Sequence, residues 1–163
     1  MKRPLCVLLL LLSLFLPAFA ESVDVPMSED DIIAWLETQL SPSYDYLKIW
    51  YYQPSNCICI DVASNGLAGI VSAYLEQGYD DTFTPWVNYR NGQMVLYNVI
   101  LDVFRQVGRE DMSLSFSIVN DDIYIRNDDS RLSATTILSI RDGEVWFDLL
   151  YERSMLKKLF GER

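Results

Sequence analysis

The sequence contains no histidine, and Lys and Arg together number only 13 against 23 Asp and Glu, for a formal charge of -10. Without histidine there is no ordinary general base at neutral pH, no imidazole ligand for zinc and no Ser-His or Cys-His nucleophile pair. The shortage of cations argues against nucleic acid or an anionic membrane surface as a partner, because both repel an acid-rich chain. Glycine is also scarce, at seven residues. Asn65-Gly66-Leu67-Ala68-Gly69 is an isolated fragment with none of the spacing of a phosphate-binding loop. No motif for a cofactor emerges, and neither an internal repeat nor a long linker divides the chain.

What is abundant comes first at the amino terminus. Lys2-Arg3, a Leu-rich stretch from Leu5 to Leu16 and then Ala18-Phe19-Ala20 form the pattern of a secretory signal peptide over residues 1–20, cleaved after Ala20. About 20 apolar residues are needed to span a bilayer, and Pro17 interrupts this run first. The reading is therefore a secreted or extracytoplasmic protein with no stable membrane insertion after cleavage. Cys6 lies inside the apolar stretch rather than after the cleavage site, which speaks against a lipid anchor. Removing the leader takes away Lys2 and Arg3 and no acid, so the charge deepens from -10 to -12. The remainder, 21–163, is long enough for one compact domain with a sizeable core.

After a polar lead-in over 21–27, Ser28 caps a helix expected over about 29–40, with Glu29-Asp30-Asp31 at its positive end and Ile32, Ile33, Leu36 and Leu40 at helical spacing. Ser41-Pro42 stops it. Tyr46–Gln53 and Cys57–Val62 read as two strands of a hairpin about Pro54-Ser55-Asn56. Leu67, Ile70, Val71, Tyr74 and Leu75 give a helix ending near Gly78, and Thr84-Pro85 opens a second, either one helix of about 23 residues up to Gly108 or two pieces broken at Asn91-Gly92.

The last third is β. Met112–Ile118 alternates apolar residues with Ser113, Ser115 and Ser117; Ile123–Arg126 is a short strand candidate; and Leu132–Ile140 leads through Asp142-Gly143 into Glu144–Leu149. In the last of these Val145, Phe147 and Leu149 alternate with Glu144, Trp146 and Asp148. Residues 154–163 have the composition of a short terminal helix. The fold class is α+β: a mainly antiparallel sheet of about five strands with helices packed on one face. Ser113, Ser115 and Ser117 then fall on the open face. They form either a solvated strand face or a flat polar surface for a protein or glycan partner, with Trp50, Tyr52 and Trp146 supplying stacking area.

A strand running into Asp61-Val62-Ala63-Ser64-Asn65-Gly66-Leu67-Ala68, a helical middle, a strand ending at Asn120-Asp121 and a closing Ser139–Val145 hairpin resemble small secreted proteins and lipoproteins of Gram-positive, often gut, bacteria. The resemblance covers about 58–149 and implies a fold and an extracytoplasmic location; the group has no established activity and so supplies no functional residue. The chain departs from its pattern in lacking the lipoprotein cysteine, in its aromatic first strand and in extra residues between 121 and 132.

Two constellations have chemical potential. Cys57 and Cys59 flank one residue of a strand, where alternation points both side chains to one face. Two residues of extended chain advance about 6.6–7.2 Å, at the upper limit for a disulfide. Three states stay open: a bond made at a bulge, two buried thiols, or a redox-active pair. Carboxylates are the second. Asn120-Asp121-Asp122 and Asn127-Asp128-Asp129 suit turns, or a weak calcium site, although neither has the calcium-loop pattern. Glu37, Asp61, Glu76, Asp102 and Asp148 are the acids from which a paired-carboxylate hydrolase would draw. The function expected is a non-enzymatic binding or interaction module, with a small hydrolase or a thiol redox protein as the alternatives.

Overall fold

The computed structural model describes residues 26–63, 67, 84–120 and 135–152. Helix α1 spans Glu29–Leu40. Its start follows from Ser28, whose side chain accepts from the Asp31 backbone N–H at 3.2 Å and donates to the Asp31 carboxylate at 2.6 Å. Ile32, Leu36 and Leu40 are buried, one stripe of the helix. Pro42 ends it in a single 3-10 turn, Ser41–Ser43. Strands β1 (Tyr46–Tyr52) and β2 (Cys57–Ala63) form the hairpin, joined through a 3-10 turn, Gln53–Ser55. Asn56 closes it in the left-handed region at φ 47.

Helix α2 runs unbroken over Thr84–Gln106, 23 residues, so Asn91-Gly92 is carried inside one helix. Strands β3 (Ser113–Asn120), β4 (Thr135–Arg141) and β5 (Glu144–Asp148) complete a sheet in the order β1-β2-β3-β4-β5. Asp142 and Gly143, both at positive φ, make the tight turn between β4 and β5. The other helices and the strand expected over 65–78, 123–126 and 154–163 lie outside the described residues, apart from Leu67, which is buried in the core. So do the leader and the two Asn-Asp-Asp clusters beyond Asn120.

Three of the four pairings are antiparallel, but β2 and β3 are parallel. A parallel pair needs a long crossover, and the chain between Ala63 and Ser113, which contains α2, supplies it. The sheet's inner face is made of alternate residues: Ile58, Ile60 and Val62 on β2, Leu114, Phe116 and Ile118 on β3, Leu138 and Ile140 on β4, all at 0–2% exposure. Against these pack α1 and the Trp86, Leu96, Tyr97, Ile100 and Phe104 side of α2. The expected architecture, an α+β domain with a mostly antiparallel five-stranded sheet, is the one observed.

β5 departs from its expected alternation. Its pairing with β4 shifts between Ser139 and Ile140, with Ile140 opposite Val145 and Ser139 opposite Phe147, so Trp146 is an extra, bulged residue. Val145 and Trp146 are exposed while Asp148 is buried at 5%. The Asp148 carboxylate accepts from the Trp86 indole N–H at 3.1 Å, from Arg90 at 3.0 Å, and from the backbone N–H groups of Leu150 and Tyr151 at 3.1 and 3.0 Å. It therefore caps the helical residues 149–152 and ties them to α2, which outweighs the binary pattern.

Candidate functional site

The site is built on the side of the sheet away from the helices, where alternation places every second residue. Register aligns these in rows across the strands. One row reads Trp50, Cys59, Ser115, Arg141 and Glu144 from β1 to β5; the next reads Lys48, Asp61, Ser117, Ser139 and Phe147; and Tyr52, Cys57 and Ser113 form a third. All of the expected surface residues, Trp50, Tyr52, Ser113, Ser115, Ser117 and Trp146, are on this side; Trp146 joins it because the Arg141 guanidinium lies 5.9 Å from its ring centroid. No described element packs over them. Four interstrand steps put the two rims roughly 19 Å apart.

The floor is small side chains and the rims are indoles. Tyr52 and Trp146 are exposed at 51% and 64%, Trp50 is half-buried, and Lys48 Nζ stands 4.9 Å over the Trp50 ring. Each tryptophan is thus steadied by a cation from its own hairpin. The serines are less open than a solvated strand face would be. Ser115 is buried at 6% and accepts from Arg141 Nε at 3.0 Å. Ser113 donates to the Asn56 carbonyl at 3.3 Å, and Ser117 hydrogen-bonds to Asp61. Burial raises the Asp61 carboxyl above its ordinary value, opposed by Lys48 and by the Ser117 hydrogen bond.

Cys57 and Cys59 are free thiols with sulfurs 4.0 Å apart. The strand is regular through both residues in its pairing to β1 and to β3, so the bulge on which a bond between them was expected to depend is not there. Burial, reinforced by the neighbouring Cys57, pushes the Cys59 thiol up to about 12, against the opposing charge of Arg141. The Cys59 thiol is therefore protonated at neutral pH and a poor nucleophile.

The candidate carboxylates among the described residues do not converge. Glu37 is exposed on α1, Asp102 on α2 pairs with Arg105, Asp61 is on the sheet floor, and Asp148 is buried beneath Trp86 and Arg90; Glu76 lies outside the described residues. No group of three or more Cys, Asp or Glu suited to a metal occurs among the described residues. A small, open-sided cavity of about 210 Å³ lies beside the C-terminal half of α2, lined by Tyr97, Phe104, Arg109, Met112 and Asp142 among others. Among the described residues no helix is long and apolar enough to cross a membrane.

What sequence reasoning missed is the role of the cations. The described ones are Lys48, Arg90, Arg105, Arg109 and Arg141. Arg90 pairs with Asp148, Arg105 with Asp102, and Arg109 with Glu29 and Asp111. Lys48 and Arg141 make no ion pair with a described acid, and both lie on the open face over a tryptophan. The signal was present: Lys48 and Trp50 are two apart on one strand, and Arg141 precedes the tight turn to Trp146. No family model, curated protein or solved structure matches the chain.

Proposed function

We propose that the protein is an exported, non-enzymatic binding module whose open sheet face holds an uncharged glycan chain. The observation that supports this is the pairing of each rim tryptophan with a cation that makes no described ion pair, on either side of a floor of serine hydroxyls. An indole offers a flat apolar plate for the ring face of a sugar, while Lys48, Arg141, Asp61 and the partly exposed Ser113 and Ser117 supply donors and acceptors for its hydroxyls.

Charge narrows the choice of ligand. A polyanion is repelled by a chain of net charge -10, and a basic peptide meets Lys48 and Arg141 at the face itself. A neutral, hydroxyl-rich chain is opposed by neither. The face has no convergent acid pair or activated nucleophile among its described residues, which favours retention of a ligand over its cleavage.

The test is retention on a panel of insoluble neutral polysaccharides (glucans, xylans and mannans), with a polyuronate and polylysine as charged comparators. Retention on at least one neutral member is expected, little changed between low and high salt because no ion pair is formed. Binding confined to either charged comparator, and lost as salt is added, would contradict the reading. So would no retention on any neutral member.

A further inference from the structure

Cys57 and Cys59 project from the same side of β2 as free thiols, without the bulge that one of the three readings, a bond between them, required, and their geometry suits a further chemistry. Two residues along a paired strand advance roughly 6.6–6.8 Å, the top of the Cα separation a disulfide accepts. Cys57 is held between Tyr52 and Ser113, and Cys59 between Trp50 and Ser115, in ladders on both sides. Closing the sulfurs from 4.0 Å to the roughly 2.05 Å of a disulfide would have to pull against both ladders.

A shared two-coordinate ion asks for much less, a widening of a few tenths of an ångström that side-chain rotation supplies without moving either ladder. Two sulfurs each about 2.3 Å from one metal stand roughly 3.8 Å apart at a tetrahedral angle and 4.6 Å apart when opposed. The observed 4.0 Å falls inside that interval.

We infer that Cys57 and Cys59 form a two-thiolate site for one soft, low-coordinate cation, with Cu(I) as the ion that fits. Thiolate ligands select soft ions. Structural zinc demands four ligands, and no third Cys, Asp or Glu converges with this pair among the described residues. A two-coordinate d10 ion needs none. Binding forms two S–Cu bonds, releases one proton from each thiol to solvent and leaves copper as Cu(I), with no electron transferred. The bis-thiolate complex carries one negative charge, and the Arg141 guanidinium, in the same row as Cys59 and electrostatically coupled to it, offsets that charge. Until the ion arrives, burial keeps the Cys59 sulfur protonated, which slows its oxidation. This site is independent of the glycan reading.

The experiment uses the full chain carrying Cys6→Ser, reduced and then held without oxygen, titrated with Cu(I) against a coloured Cu(I) chelator. One equivalent is expected to be withdrawn from the chelator, with a thiolate-to-copper band in the ultraviolet, a raised Tm and an affinity that climbs with pH as two protons are displaced. Cys57 is buried, so Cys59→Ala at the more open position is the deciding variant, with its fold checked by circular dichroism; it should withdraw at least tenfold less. Full withdrawal by folded Cys59→Ala would overturn the site. So would the absence of any withdrawal by the parent chain, or equal stabilisation by Zn(II). Ready formation of an intrachain disulfide in air, seen by mass as the loss of two hydrogens, would overturn the geometric premise.

Discussion

Two aspartates show how far a residue's type falls short of its role. Asp61 and Asp148 are each the polar member of an alternating strand, yet one lies on the sheet floor beside Lys48 and the other is buried under an indole and a guanidinium. Nothing in the sequence separates them, because the bulge at Trp146 that turns Asp148 inward is set by pairing to β4. Asp148→Ala removes the acceptor for Trp86, Arg90 and two backbone N–H groups. The expected cost is about 3–5 kcal/mol, as for breaking a buried ion pair, read as a lower urea midpoint at unchanged slope. Cys59 gives a pH dependence. Its thiol titrates near 9.0 when unfolded and near 12 in the fold, so the folded state holds the proton longer and stability falls as pH rises from about 9 towards 12. Cys59→Ser lacks that contribution. The difference in Tm between parent and variant should shift towards the variant between pH 8 and pH 11; a difference that stays constant would mean that Cys59 is solvated.

Elements fixed by neighbours in sequence were readable, and those fixed by distant partners were not. The cap at Ser28 and the stripe Ile32, Leu36 and Leu40 define α1 with its observed bounds, and Asp142-Gly143 defines the last hairpin. The parallel β2 and β3 pairing has no local signature, since the crossover lies between them and alternation looks the same in either direction. The open face was legible as a set of positions, because Ser113, Ser115 and Ser117 alternate. The rows that bring Trp50, Cys59, Ser115 and Arg141 together depend on register and were not. The turn offers a clean test of local geometry. Gly143 adopts φ +76, and a Cβ added there would meet nothing within 4 Å, so Gly143→Ala carries backbone strain without a clash. A loss of about 1 kcal/mol is expected, with the sheet otherwise intact. A neutral change would show that the turn relaxes freely.

At the scale of the whole molecule, α1 and α2 cover one side of the sheet, and among the described residues no element covers the polar floor between aromatic rims on the other. In this acid-rich chain that face holds Lys48 and Arg141, the two described cations that make no ion pair with a described acid. The most direct test compares three proteins on the neutral polysaccharide that retains the parent: Trp146→Ala on a rim, Lys48→Ala beneath the other, and Val95→Ser at an exposed position of α2 on the opposite side. Trp146→Ala and Lys48→Ala should each weaken binding about tenfold or more, about 1.4 kcal/mol, with Tm and circular dichroism unchanged, while Val95→Ser binds as the parent does. Undiminished binding by both face variants, or a loss confined to Val95→Ser, would place recognition elsewhere.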